Sequence, residues 1–65
     1  MKLRAIRKQR GLSQRALAGK ARMSQRFLCN IENGLADPSL STLRRLAKAL
    51  GVTVGALVDE PQRKR

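Results

Sequence analysis

Gln25, Arg26, Cys29 and Asn30 are the residues whose types and spacing could do chemistry on another molecule. At helical spacing they fall on faces away from the apolar pair Leu28 and Ile31, so their hydrogen-bonding groups are presented outward. A Gln or Asn side chain can pair bidentately with an adenine edge and an Arg guanidinium with guanine, while a Cys is small and apolar enough to rest against a thymine methyl. Plainer roles are open to the same residues. Gln25 and Asn30 could be solvated surface, and Cys29 could face a neighbouring helix as a small hydrophobe. Phe27, the one aromatic residue of the chain, makes no stacking platform alone and reads as packing or a contact at a phosphate edge.

Two short helices joined by a tight turn would carry these residues. Over residues 13 to 34, SQRALAGKARMSQRFLCNIENG, Ser13 can cap a helix by accepting a bond from its early N–H groups, and Leu17, Ala18 and Ala21 follow as an apolar stripe. Ser24 repeats the device, predicting one helix from about Gln14 to Ala21 and another from about Gln25 to Asn33, with Gly34 at the stop. Upstream, Lys2 to Arg10 reads as a first helix with Leu3 and Ile6 along one edge, ended by Gly11. Downstream, Pro38 makes 35–39 a loop and Ser39 caps a fourth helix, whose Leu40, Leu43, Leu46, Ala47 and Leu50 form the strongest amphipathic pattern before Gly51. Thr53 can cap a short fifth helix reaching about Val58, and 59–65 reads as a basic, flexible C-terminal tail. No strand pattern appears. The expectation is an all-α, five-helix bundle in one domain over 1–58, with Leu3, Ile6, Leu12, Leu17, Ala18, Met23, Leu28, Ile31, Leu40, Leu43, Leu46, Leu50, Val52 and Leu57 as its core.

Charge points to the partner. Fifteen Lys and Arg against four Asp and Glu, with no His, give +11 on 65 residues, which favours a polyanion through counterion release. Arg15 and Arg26 fall in the first turns of the second and third helices, where the macrodipole is positive and a cation is unfavourable by ~0.3–1 kcal/mol. The acids that would complete capping boxes are absent at Ala16 and Phe27. A chain that docks both helix ends on phosphates would keep them positive, because backbone N–H groups and Arg then act on the anion together.

Several classes of activity are disfavoured. One Cys and no His supply neither a disulfide, nor a zinc cluster, nor a Cys/His nucleophilic pair, so no enzymatic activity, metal or cofactor is expected. The apolar runs are far shorter than the ~20 residues a bilayer span needs, and Lys2 and Arg4 lead into no signal-peptide stretch, so a soluble, cytoplasmic protein is expected. A basic membrane-surface protein would need a broad apolar face with aromatic anchors, which the composition does not provide.

The order Arg7, Gly11-Leu12-Ser13-Gln14, Leu17-Ala18, Met23-Ser24, Leu28, Ile31-Glu32-Asn33-Gly34, Pro38-Ser39, Leu43, Leu46-Ala47, Leu50-Gly51-Val52 and Leu57 resembles the phage repressor and Cro type of helix-turn-helix domain over roughly residues 3 to 58. The resemblance implies a five-helix domain with the motif at 14–33 and the third helix entering the DNA major groove. It implies base contacts from Gln25, Arg26, Cys29 and Asn30, and phosphate contacts from Gln14, Arg15, Ser24, Asn33 and Ser39. Gln14 would also brace the recognition helix, and Arg7 and Glu32 would form the ion pair that ties the first helix to the end of the third. The sequence departs from the pattern at Arg22, where the family usually carries Gly; a left-handed backbone there would strain a non-Gly residue by roughly 1 kcal/mol.

The function so implied is a sequence-specific regulator of transcription binding double-stranded DNA, a repressor by family habit. A homodimer on an inverted-repeat operator is expected, with Val54, Leu57 and Val58 at the contact because so short a fifth helix carries more apolar residues than one core should absorb. An antitoxin-type regulator with a protein partner, and a sequence-indifferent nucleic-acid binder, are the alternatives.

Overall fold

Serines set where the helices begin. In the computed structural model, which describes residues 1–58, the helices are α1 (Leu3–Gln9), α2 (Gln14–Lys20), α3 (Gln25–Glu32), α4 (Leu40–Leu50) and α5 (Val54–Val58). Ser13, Ser24 and Ser39 each hold an extended backbone and accept a hydrogen bond from the N–H three residues on, at Ala16, Phe27 and Thr42. Thr53 does the same for Ala56 at 3.0 Å. Each cap satisfies one of the N–H groups that a helix start leaves without an internal partner. The expected limits contract by one residue at both ends of the first helix and at the C-terminal end of the second and third, since Lys2 is the N-cap of α1 while Arg10, Ala21 and Asn33 are C-caps. The tail proposed for 59–65 lies outside the described residues.

One motif stops the first four helices. In each, an N–H just past the helix end reaches back to a carbonyl five residues earlier: Leu12 to Arg7, Met23 to Ala18, Leu35 to Asn30 and Val52 to Ala47, all between 2.8 and 3.1 Å. This Schellman closure needs a left-handed residue just before that N–H. Gly11, Gly34 and Gly51 supply it at φ +70 to +75, but α2 uses Arg22 at φ 60. A side chain there crowds the following carbonyl, so the turn before α3 carries strain of about 1 kcal/mol that the other three stops avoid.

The core lies where α2 packs on α3 and α4, and α5 packs on α4 and α1. Leu3, Leu17, Ala18, Ala21, Leu28, Ile31, Leu46, Ala47, Leu50 and Leu57 are buried, with Ile6, Leu12, Met23, Phe27, Val52 and Val54 packed partly against them. A backbone bond from Lys2 N to Leu57 O, 2.8 Å, joins the start of the chain to α5. Leu40 departs from its expected core place, being 54% exposed, and Leu43 is only half-buried. Leu40, the first residue of α4, therefore lies off the buried side of the helix, which begins at Thr42 and continues through Leu46, Ala47 and Leu50. Thr42 is buried in the first turn instead and shares a 3.0 Å hydrogen bond with the Ser39 hydroxyl.

The two kinds of glycine should respond oppositely to alanine. Gly19 lies inside α2 with open space where a Cβ would go, so Gly19→Ala is expected to stabilise the fold by up to about 1 kcal/mol. Gly51→Ala forces a Cβ onto a left-handed backbone and is expected to destabilise by about 1 kcal/mol. Urea melts of both variants check this; shifts of the same sign would contradict the backbone assignment.

Candidate nucleic-acid interface

Glu32 closes α3 with a side chain that has no exposed surface, and it meets donors from two other helices. Arg7 of α1 grips it with two nitrogens, Nε to Oε2 at 2.7 Å and Nη2 to Oε1 at 3.1 Å. Gln14 Nε2, at the start of α2, donates to Oε1 at 3.1 Å, and Arg4 Nε donates to the same oxygen at 3.2 Å. Arg7 spends its remaining terminal nitrogen on the Leu12 carbonyl, 2.8 Å, and Arg4 Nη2 donates to Asn33 Oδ1 at 2.6 Å. Arg7 is itself 8% exposed. Such a burial is tolerable because both carboxylate oxygens and all three Arg7 nitrogens have partners.

The charge state follows from the same contacts. Burial by itself would raise the Glu32 carboxyl, but the hydrogen bonds from Arg7, Gln14 and Arg4 and the adjacent Arg7 charge outweigh it, holding the group below the ordinary carboxylate value. The Arg7 guanidinium is held above its ordinary value, chiefly by its hydrogen bonds to Glu32.

Beside this knot, Gln14, Gln25, Arg26, Cys29 and Asn30 line one shallow cleft of about 470 Å³. Gln25 and Arg26 are exposed, while Gln14, Cys29 and Asn30 are half-buried. Cys29 therefore opens onto the cleft beside the polar residues, and Phe27 turns the other way to pack on the core. Asn33 Nδ2 donates to Cys29 Sγ at 3.4 Å, so both ends of the Asn33 amide are engaged within the protein. Arg15, Ser24 and Ser39 are exposed at the starts of α2, α3 and α4, the two serine hydroxyls doubling as cap acceptors. No acid lies in the first turn of any helix.

Sequence reasoning missed Arg4. The signal was its spacing, since Arg4 and Arg7 are one turn apart on α1 and therefore share a face. The fifth helix brings a correction. Leu57, expected both in the core and at a contact between copies, is 0% exposed and belongs to the core of a single chain, so only the first reading fits; Val54 packs partly against the same core, and Val58 is 37% exposed. A five-residue helix buries more of its apolar side than expected because it is covered by both α1 and α4.

Two short helices joined through Ala21–Ser24, the second showing a polar exposed side beside a bracing end of the first, define a helix-turn-helix domain. The helix-turn-helix family model matches residues 3–57, and the chain belongs to that family, in its phage-repressor branch. It is similar to the immunity repressor protein of Bacillus phage phi105, 49% identical over 59 residues that cover 91% of this chain and 41% of that one. It also resembles the HTH-type transcriptional regulator DdrOP3 of Deinococcus deserti, 41% identical over 89% of this chain and 45% of the relative. A third relative, the HTH-type transcriptional regulator PuuR of Escherichia coli, is 34% identical over 95% of this chain and 34% of its own length. The chain thus spans less than half the length of these three relatives. No solved structure matches it. Among the described residues, no helix is long and apolar enough to cross a membrane, and no His, Cys, Asp and Glu group could hold a metal.

Glu32→Gln keeps the shape but leaves Arg7 as a buried, unpaired charge, and should destabilise the fold by about 3 kcal/mol or more at neutral pH. Because the carboxyl titrates lower in the folded chain, its contribution is fully present above the unfolded value of about 4.3 and fades as pH falls through the folded value. Chemical melts between neutral and acid pH should show the gap between wild type and variant narrowing below that point. A gap that stays constant would contradict the assignment.

Proposed function

We propose that this protein is a sequence-specific, double-stranded-DNA-binding regulator of transcription that represses, reading the major groove with α3. The observation that carries the reading is the gathering of Gln14, Gln25, Arg26, Cys29 and Asn30 on one accessible cleft of a chain with net charge +11. Arg26 is suited to guanine, Gln25 and Asn30 to adenine, and Cys29 to a thymine methyl. Gln14, Arg15, Ser24 and Ser39 would meet phosphates on either side, and Asn33 would do so through the amide hydrogen its internal partners leave over. The names of the relatives, an immunity repressor and transcriptional regulators, support this direction of function. Its place of action is the cytoplasm, and no enzymatic step or cofactor enters.

Two copies would bind an inverted repeat, each on a half-site, with centres ~34 Å or a multiple of that apart. Val58, with the outer side of Val54, is the apolar surface of α5 left for that pairing. Pairing on DNA, from a monomer or weak dimer in solution, suits so small a patch.

A duplex selected from a random pool is the test substrate. Gln25→Ala, Arg26→Ala and Asn30→Ala are each expected to lose ~1–3 kcal/mol on the selected duplex and little on random duplex at the same salt. Equal losses on both would refute base reading and leave a sequence-indifferent electrostatic binder.

A further inference from the structure

A second cleft lies at the other end of α2. Lys20, Ala21 and Arg22 on one side and Arg45, Lys48 and Ala49 on the other border a half-open recess of about 420 Å³, and none of these residues lines the cleft beside α3. Gln14 at the first position of α2 faces one cleft and Lys20 at its last position faces the other. All four cations are exposed, and none makes a hydrogen bond or ion pair with its side chain among the described residues. Among the described residues no acid lines the recess. Within the described residues the acids are Glu32, sealed by Arg7, Arg4 and Gln14, and Asp37, in the loop before α4. Buried Ala21 and half-buried Ala49 form the walls between the charges, and their small side chains leave the space open.

Arg22 adds an independent reason to regard the recess as built. At the equivalent stop of α1, α3 and α4 the left-handed residue is glycine, and at this stop alone a long cationic side chain occupies a strained backbone. Strain kept at one of four equivalent positions points to a use for the side chain that occupies it.

We propose that this recess is an anion site for a linear oligophosphate, free or as the phosphate chain of a nucleotide, separate from the DNA-reading surface. The chemistry follows from number and spacing. A single exposed cation holds an anion weakly, whereas a chain of phosphates meets Lys and Arg donors from α2 and α4 together and relieves the repulsion among them. The volume is on the scale of small-ligand sites, ~300–1,000 Å³. A recess of this size admits a short linear anion.

The test is titration of the full chain with inorganic tripolyphosphate at physiological salt, followed by heteronuclear NMR and calorimetry, with ATP as a parallel arm. Shifts should concentrate at residues 20–22 and 45–49, and tripolyphosphate should raise the melting temperature. Arg45→Gln/Lys48→Gln should weaken binding by about tenfold or more. The matched charge loss Lys8→Gln/Arg10→Gln, on exposed residues outside both clefts, should change it by less than about twofold if the site and not net charge binds. Arg22→Gly should melt higher than wild type yet bind more weakly, a combination that loss of folding cannot produce. Equal binding of ATP and tripolyphosphate would assign recognition to phosphates alone, and tighter ATP binding would add the nucleoside; both support the site. Equal weakening by the two double variants, or shifts confined to 25–30, would overturn it. So would a random-sequence duplex that perturbs residues 20–22 and 45–49 at lower concentration than tripolyphosphate does, which would make the recess a second contact for DNA backbone.

Discussion

Because the Glu32 carboxylate belongs to α3 while its hydrogen-bond donors come from α1 and α2, none of the three helices can shift without breaking a bond to a buried charge. The hydrophobic contacts among Leu3, Leu17, Leu28 and Ile31 favour packing but tolerate small slides, since apolar burial has no direction. A bidentate guanidinium and a directed amide have direction. They turn a loosely specified bundle into one in which the position of α3 is set at its C-terminal end, leaving the N-terminal turns of that helix to project Gln25 and Arg26. Gln14 belongs to both systems, holding Glu32 with its amide while lining the cleft beside α3, so the brace and the proposed reading surface meet at one side chain.

Much of this was legible because it is written in local chemistry. Serine at 13, 24 and 39 and glycine at 11, 34 and 51 mark starts and stops by mechanisms that act within five residues, and the helices begin and end there. The clustering of Gln25, Arg26, Cys29 and Asn30 follows from helical spacing once α3 is granted. The phage-repressor resemblance drew attention to Arg7 and Glu32 together, residues 25 apart that no local rule would connect.

What was not legible depends on which element covers which. Leu40 and Ala47 share a face of α4 by periodicity, yet one is exposed and the other buried, and the first turn buries Thr42 in place of Leu40. Leu57 carried two readings by sequence, core and contact between copies, and only the packing of α5 on both α1 and α4 decides for the core. Arg22 was recognised as a departure, but its company with Lys20, Arg45 and Lys48 joins the end of α2 to the middle of α4, a tertiary relation that spacing along the chain does not contain.

The distribution of charge is lopsided. Two acids among the described residues are far too few to pair with the cations of α1, α2 and α4, and the protein uses one of them, Glu32, at the single place where a buried anion organises three helices. Whether that anion is the organising element is tested most directly by a double-mutant cycle on Arg7 and Glu32, with the stabilities of Arg7→Met, Glu32→Leu and the double variant measured by chemical denaturation. The account predicts strong coupling, with the double variant recovering about 2 kcal/mol or more of the summed single losses because no unpaired charge is left buried. Single losses that add to within about 0.5 kcal/mol would mean that Arg7 and Glu32 act independently, and would contradict it.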